Sequence, residues 1–164
     1  MAGLGYAFLG THKDTSFSSD KYSFNIAKPS SQWIIITEKD FSRMLLQIPG
    51  EIVEVAHISR NVVVAVLVSQ SDTPDIGFIG DTLAGEIARD PRNTITSRKR
   101  IVFNKMDAYE LLYSTEAGGI STESRMITVL SQGRVFGIFA TGLKGLLKEQ
   151  SEEIEDILSS IKIG

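Results

Sequence analysis

Apolar and polar residues alternate along four successive segments in the second half of the chain. A period of two is typical of β-strands that bury one face. The predicted strands are residues 94–104, 108–115, 123–131 and 134–140. The links between them carry residues that favour tight turns, at 104–107, 118–119 and 132–133, with positive φ needed at Gln132–Gly133. We therefore expect successive strands to pair antiparallel.

The end of the chain predicts an amphipathic helix. Its apolar face consists of Leu147, Ile154, Ile157, Leu158 and Ile161. Its other face is acidic, with Glu152, Glu153, Glu155 and Asp156. Because a helix of this kind buries its apolar stripe against a neighbouring element, we expect it to lie across the sheet.

The first half of the chain predicts further strands. Tyr22, Phe24 and Ile26 alternate with smaller or polar residues until Pro29, and residues 33–36 form a short strand. Residues 51–59 and 61–70 have the pattern of a hairpin that turns near residues 60–61. Residues 62–68 are apolar throughout, which is typical of a strand in the middle of a sheet with both faces covered.

Two helices are predicted before the later strands. The spacing of Phe41, Met44 and Leu45 predicts a short helix between the capping residues 37–40 and a stop at 49–50. A longer helix starts at residues 73–75, with Pro74 in its first turn, and ends before Pro91. Its predicted buried face consists of Ile76, Ile79, Leu83 and Ile87.

These elements predict an α+β protein. We expect an α/β/α sandwich with a central antiparallel sheet of about six to seven strands and helices on both faces. At roughly 150 residues per domain, the 164 residues predict one domain. Residues 12–20 are polar and serine-rich, so we interpret residues 1–20 as a flexible lead-in and residues 21–164 as the domain.

Composition narrows the classes of partner. A net charge of −3 and a pI near 5.4 argue against nucleic acid and anionic lipid. No apolar run approaches the ~20 residues of a membrane span, so we expect a soluble domain. The chain has no cysteine, which does not decide the compartment. Its first residues lack the basic region of a secretory signal, so we read no leader in this chain, with an exported protein whose leader has been removed as the alternative. Compartment and oligomeric state stay open.

Several segments, taken in order, resemble the PsbP-like family. The first strand with Pro29 and Trp33, the hairpin at residues 104–113, and the closing helix at 157–162 resemble corresponding pieces of that family, although an aromatic residue is more usual at Ile161. The resemblance covers roughly residues 21–163. It implies an antiparallel α/β/α sandwich and, generally, a protein that binds other proteins. It transfers no functional residue, and it gives no Ran-binding role because no matching acidic segment is present.

The inventory of catalytic groups predicts no active site. Nucleophilic catalysis needs a nucleophile beside a base, and the histidines are His12, in the lead-in, and His57, which we interpret as a half-buried or surface residue on a strand. Ser121 and Ser131 lie outside any G-x-S-x-G elbow. We therefore predict no catalytic residue and no enzyme.

Metal and cofactor sites are not predicted either. Two isolated histidines do not make a zinc site. The acidic groups Asp72, Asp75, Asp81 and Glu152, Glu153, Glu155, Asp156 lack the spacing of a calcium loop. We interpret the second group as a solvated helix face, with a weak site for a cation or a basic partner as the alternative. Gly3, Gly5 and Gly10 lack the strand and the lysine of a phosphate loop.

Two further groups receive structural interpretations. Arg98, Lys99 and Arg100 lie on one strand, so their side chains alternate between faces and are expected at a solvent-facing sheet edge. Tyr109, Leu111 and Tyr113 share one face, as do Phe136 and Ile138. We expect both sets to pack against helices, with a ligand cavity as the alternative.

The sequence therefore favours a non-enzymatic protein-binding or assembly module whose partner is another protein. The alternative is a small-ligand carrier with a pocket between sheet and helix. A hydrolase that uses Glu152 and Glu153 is the weakest of the hypotheses, because acid–base catalysis needs two carboxyl groups in a defined geometry.

Overall fold

The computed structural model describes residues 15–37 and 51–164 of the chain. Within these ranges the strands are β1 Ser16–Ser19, β2 Phe24–Ala27, β3 Ile34–Thr37, β4 Glu51–His57, β5 Val62–Gln70, β6 Asn93–Phe103, β7 Met106–Ala117, β8 Ile120–Ser131, β9 Arg134–Leu143 and β10 Lys162–Ile163. The helices are α1 Ile76–Arg89, α2 Leu146–Glu149 and α3 Ser151–Ser160.

Seven of the strands form one antiparallel sheet in the order β3-β4-β5-β9-β8-β7-β6. The four strands predicted in the second half are present and pair with their neighbours in sequence. A smaller antiparallel sheet has the order β1-β2-β10. The predicted α+β class and the large antiparallel sheet with helices on both faces are confirmed.

Three hairpins of the large sheet turn on two residues with positive φ. The pairs are Asn104 and Lys105, Gly118 and Gly119, and Gln132 and Gly133. Two consecutive left-handed residues are the geometry of a type I′ turn, which matches the twist of paired strands. The prediction at Gln132–Gly133 is confirmed. The first turn is shorter than predicted, since Met106 and Asp107 already belong to β7.

The main core lies on the face of the sheet that α3 and the small sheet cover. Phe24 and Ile26 from β2 pack there with Ile154, Ile157 and Leu158 of α3 and with the valines of β5. A second, smaller cluster lies on the opposite face. It joins α1 to the sheet through Ile76, Ala84, Tyr109, Leu111 and Met126. The two faces of β7 and β8 therefore contribute to two separate cores.

A charged network connects α3 with the sheet. Buried Glu110 accepts from Arg125 at 2.8 Å and pairs with Lys99 at 3.3 Å. Arg125 also pairs with Glu155 of α3. Trp33 is fully buried, and its indole nitrogen donates to Glu153 of the same helix. Glu152, Glu155 and Asp156 are exposed, in agreement with a solvated helix face, whereas Glu153 is partly buried by its contact with Trp33.

The beginning of the described chain corrects the expected lead-in. Ser16–Ser19 forms β1 and pairs with β2, so the expectation of an unstructured segment up to Asp20 is wrong for these residues. Its short SFSS sequence alternates but carries one apolar residue, Phe17, which packs on the main core. The division into a lead-in and a single domain over residues 21–164 stays a prediction. The predicted helix at Phe41, Met44 and Leu45 lies outside the described residues.

Three further expectations need adjustment. Asp75 is the N-cap of α1 and accepts from the Gly77 amide at 2.7 Å, so Pro74 precedes the helix rather than lying in its first turn. In β5, Val62, Val64, Val66 and Val68 are buried, whereas the alternate residues are only partly covered. The predicted terminal helix is interrupted at Gln150 and is followed by β10.

Candidate interaction surface

His57 lies at the end of β4 in a fixed environment. The ring is buried, stacks edge-on against Trp33 at 5.2 Å, and has a partner at each nitrogen. Nε2 lies 3.3 Å from Gln32 Oε1 and Nδ1 lies 3.1 Å from Ser59 Oγ. The expectation of a half-buried or surface imidazole is wrong, because the Trp33 ring and the turn at 58–60 cover it. The other histidine, His12, lies outside the described residues, as do Gly3, Gly5 and Gly10.

Neither of the two serines considered as nucleophiles is a hydrogen-bond partner of the His57 ring. Ser131 Oγ donates to the Gly164 carbonyl at 3.3 Å. Ser121 Oγ is buried and has no hydrogen-bond partner among the described residues. The serine that reaches His57 is Ser59, two residues along the same chain segment. Its contact closes a local turn, which the sequence did not indicate.

The acidic residues of the first group serve separate contacts. Asp75 caps α1 and also accepts from Arg100 at 3.0 Å. Asp81 accepts from the Tyr109 hydroxyl at 2.6 Å, while Asp72 is exposed. Across residues 15–37 and 51–164, no three His, Cys, Asp or Glu side chains are grouped as metal ligands.

Tyr109 fills the space between α1 and the sheet. A Cβ atom built at Gly80 would lie closer than 3.0 Å to three atoms of the Tyr109 ring, so helix backbone and ring are in direct contact. Burial and the hydrogen bond to Asp81 raise the pKa of the Tyr109 hydroxyl. Phe136 packs on the other face, edge-on to Phe24. Packing of both aromatic sets agrees with the sequence interpretation.

An open depression of about 390 Å³ lies elsewhere, at the small sheet. Its lining residues are Ser18, Ser19, Asp20, Ser23, Phe24, Asn25, Lys162, Ile163 and Gly164. The carrier hypothesis places a ligand pocket between the large sheet and a helix. The Tyr109 ring fills the space between the sheet and α1 at Gly80, so this contact leaves no cavity for a ligand. The carrier hypothesis stays a prediction.

Strand β6 forms one end of the seven-stranded sheet and carries the basic residues. Arg98 and Arg100 stand opposite Leu111 and Tyr109, which face α1, whereas Lys99 stands opposite Glu110 on the other face. All three basic side chains are exposed. The predicted alternation and the edge position agree with the structure.

Exposed apolar residues lie beside these charges. Val102, two residues beyond Arg100 on the same face, is 72% exposed. Phe78 is 62% exposed and follows Gly77, whose position is covered by the Arg100 guanidinium. We call Phe78, Arg98, Arg100 and Val102 the α1–β6 surface. Exposed apolar side chains next to charges are a common composition of protein contact surfaces.

Solved structures with the same architecture include cyanobacterial PsbP (CyanoP) from Synechocystis sp. PCC 6803. The match covers 97% of this chain and 99% of that chain, with a TM-score of 0.66 and 12% identity. The chain has the PsbP-like fold. The Ran-binding protein Mog1p of Saccharomyces cerevisiae shares it at a TM-score of 0.57 and 8% identity, covering 90% of this chain and 94% of that chain.

A Pseudomonas aeruginosa protein of unknown function, described as a putative regulator, matches at a TM-score of 0.53 and 14% identity, over 78% of this chain and 80% of that chain. No family model matches the sequence, and no curated protein matches it significantly. The PsbP-like fold is therefore recognised from the arrangement of the backbone and not from sequence similarity.

The segments that resembled the PsbP-like fold occupy core positions. Trp33 and Ile161 are buried, and the hairpin at residues 104–113 joins β6 to β7. In the described part of the chain, no helix has the length and apolar character needed to cross a membrane.

Proposed function

We propose that this protein is a non-enzymatic binding module that docks on another protein through the α1–β6 surface. The observation that carries the proposal is the exposure of Val102 next to Arg98 and Arg100 on β6, together with exposed Phe78 on α1, which follows the Gly77 that the Arg100 side chain covers. Burial of two large apolar side chains favours association, and the neighbouring charges add specificity.

The fold supports the same class of role. The yeast protein of this fold is a Ran-binding protein, so the architecture can serve as a scaffold for protein recognition. Fold alone does not determine function, and no partner identity is carried over. The support for this chain comes from its own exposed residues.

The proposed absence of catalysis rests on the use of the polar groups. His57 is buried under Trp33, Glu110 lies between Lys99 and Arg125, and Asp81 binds Tyr109. Each of these groups already has a structural partner. A base that acts on a substrate must instead reach it within hydrogen-bond distance.

Affinity capture from a lysate of the source organism tests the proposal. The wild-type protein should enrich a defined partner, and the double variant Phe78→Ser, Val102→Ser should lose it. Ile120→Ser is the control, because Ile120 is also an exposed large apolar residue. It lies at the β7–β8 turn, whereas Val102 pairs with Asp107 at the other end of β7. Equal capture by all three proteins would place the contact elsewhere, and repeated failure of the wild type to enrich any partner would refute the proposal.

A further inference from the structure

The outer side of β6 has the properties of a site for an added strand. Strand β6 has eleven residues, which is long for a strand at the end of a sheet. Among the described residues, β7 is the only strand that pairs with β6. A sheet edge of this kind presents unpaired backbone groups that can bind a further extended segment.

The turn at Asn104–Lys105 determines which backbone groups point outward. In a two-residue hairpin, the residues that flank the turn form a hydrogen-bonded pair, here Phe103 and Met106. Hydrogen-bonded and non-hydrogen-bonded pairs alternate along antiparallel strands. Counting back from Phe103, the backbone groups of Arg98, Arg100 and Val102 therefore face away from β7.

A register shift limits the regular part of this edge. The pairing of β6 with β7 shifts between Ile95 and Ser97. Such a bulge increases the local twist and interrupts the spacing of backbone groups. The usable edge is therefore residues 97–103, which we call the β6 edge.

The charge of the β6 edge selects the kind of segment that fits. The chain as a whole carries −3, yet Arg98 and Arg100 flank the outward backbone groups. Arg98 has no ion pair among the described residues, and the pair between Arg100 and Asp75 is solvent-exposed and can exchange. A second copy paired symmetrically about Arg100 would place like charges opposite each other, which is unfavourable. An acidic segment complements the edge.

We propose that the β6 edge binds an acidic, extended segment of the partner protein as an additional strand. Two acidic side chains at alternate positions face Arg98 and Arg100, and the next residue on that face, an apolar one, contacts Val102. This inference rests on the proposed function and specifies the chemistry of the partner.

Peptides provide a direct test. The probe is a labelled nine-residue peptide with glutamate at two alternate positions and valine at the next position on the same face, and the comparison peptide has lysine in place of both glutamates. The wild-type protein should bind the glutamate peptide, and binding should protect the amides of Arg98, Arg100 and Val102 from hydrogen exchange. Absence of binding, or binding without protection of these amides, would overturn the inference.

Charge and backbone contributions can be separated by variants. The double variant Arg98→Glu, Arg100→Glu should weaken binding by at least about tenfold, since charge pairs between partners are lost and reversed. Lys144→Glu, Lys148→Glu makes the same change in net charge at exposed positions off the edge and should change binding less than about twofold, as expected for distant charges.

Val102→Pro removes one outward amide at an edge position where proline is tolerated. It should weaken peptide binding more than Val102→Thr does, while circular dichroism of both variants stays that of the wild type. Equal peptide affinities of these two variants would contradict strand addition. Equally tight binding of an oligodeoxynucleotide would identify a general polyanion site and would also overturn the inference.

The same charge-reversal variant distinguishes this inference from the proposed function. If Arg98→Glu, Arg100→Glu still captures the partner while Phe78→Ser, Val102→Ser does not, the protein is a binding module that does not use the β6 edge. If the peptide binds with the expected protection but no partner is ever captured, the β6 edge does accept an acidic strand, and the proposed docking role is wrong.

Discussion

Small residues allow α1 to approach the sheet closely. The sequence pattern predicts a buried face made of Ile76, Ile79, Leu83 and Ile87, but the residues that are fully buried are Ile76, Gly77, Gly80 and Ala84. Ile79, Leu83 and Ile87 are partly covered at the sides of the contact. Apolar periodicity locates the buried side of a helix, but it cannot show that glycine lies at the centre when a Tyr109 ring fills the space opposite.

Gly80→Ala should destabilise the protein by about 1–3 kcal/mol, the usual cost of overpacking. The added methyl group would overlap the Tyr109 ring. Gly85→Ala is the matched control on the same helix, since no atom lies within 4 Å of a Cβ there. It should stabilise by up to about 1 kcal/mol because alanine favours helix. Urea unfolding measures both changes, and equal effects would contradict the packing at Tyr109.

Because Glu54 is partly buried, we expect it to make the stability of the protein depend on pH. It stands on β4 between Ile36 and Ala65, and no side-chain partner within the described ranges compensates its burial. Burial raises the pKa of Glu54. The folded state therefore favours the protonated form, so this contribution to stability is fully present below the unfolded pKa and is lost as pH rises through the folded one.

Glu54→Gln should accordingly raise the free energy of unfolding at pH 7, and the gain should shrink towards about pH 4, near the ordinary pKa of glutamate. Urea unfolding at several pH values measures the gain. Glu86→Gln, at an exposed position on α1, is the control and should show no such trend. A gain for Glu54→Gln that is independent of pH would show that ionisation is not its cause.

At the scale of elements, the sequence predicted long strands better than short ones. Strands β6 to β9 alternate over ten or more residues, and turn residues separate them. Strand β10 has only two residues and forms by pairing with the edge of β2. It is too short to show a periodic pattern in the sequence. Strand β1 was missed because its four residues lie within a serine-rich stretch.

The candidate surface was predictable only in part. Alternation alone placed Arg98 and Arg100 on one face and Lys99 on the other. The exposure of Val102 and Phe78 was not predictable, because apolar residues within an alternating strand or an amphipathic helix are normally buried. It depends on where α1 begins relative to β6, which is a tertiary property.

Asn104 joins two elements that are distant in sequence. With φ of 47° it forms the turn between β6 and β7, and its side-chain amide donates to the carbonyls of Leu158 and Ile161 at 3.2 and 2.7 Å. These carbonyls lie at the C-terminal end of α3, where helical acceptors need partners from outside the helix, and the Leu158 carbonyl also accepts from the Ile161 amide at 3.2 Å. The turn residue thus satisfies the end of the helix.

Asn104→Asp should destabilise the protein by about 1–3 kcal/mol, since it removes the donor and places a negative charge at the negative end of the helix dipole. Asn61→Asp is the control, because Asn61 also has positive φ but is exposed and has no side-chain hydrogen bond within the described chain. Its effect should stay within about 0.5 kcal/mol. Thermal or urea unfolding measures both free energies of unfolding. Similar losses of stability in the two variants would show that the cost comes from the turn conformation and not from the end of the helix.

At the scale of the whole molecule, the large sheet separates two cores of unequal size. The main core includes the buried valines of β5 together with residues of β2 and α3, whereas α1 is held by the smaller cluster around Tyr109 and Leu111. Regions with less buried apolar surface open at lower free energy than the rest of a protein. We therefore expect α1 to detach from the sheet while the main core stays folded.

Native-state hydrogen exchange tests this expectation. The opening free energies of amides in α1 should be lower than those of β5. Ile138→Val, in the main core, should lower the β5 values by about 0.5–1.5 kcal/mol. It should leave the α1 values unchanged, because the folded state and the α1-open state both contain the altered core. Gly80→Ala should lower both sets, since it destabilises the folded state but not a state from which α1 has departed. If Ile138→Val lowered both sets equally, α1 and the main core would open as one cooperative unit, and the two clusters would not act separately.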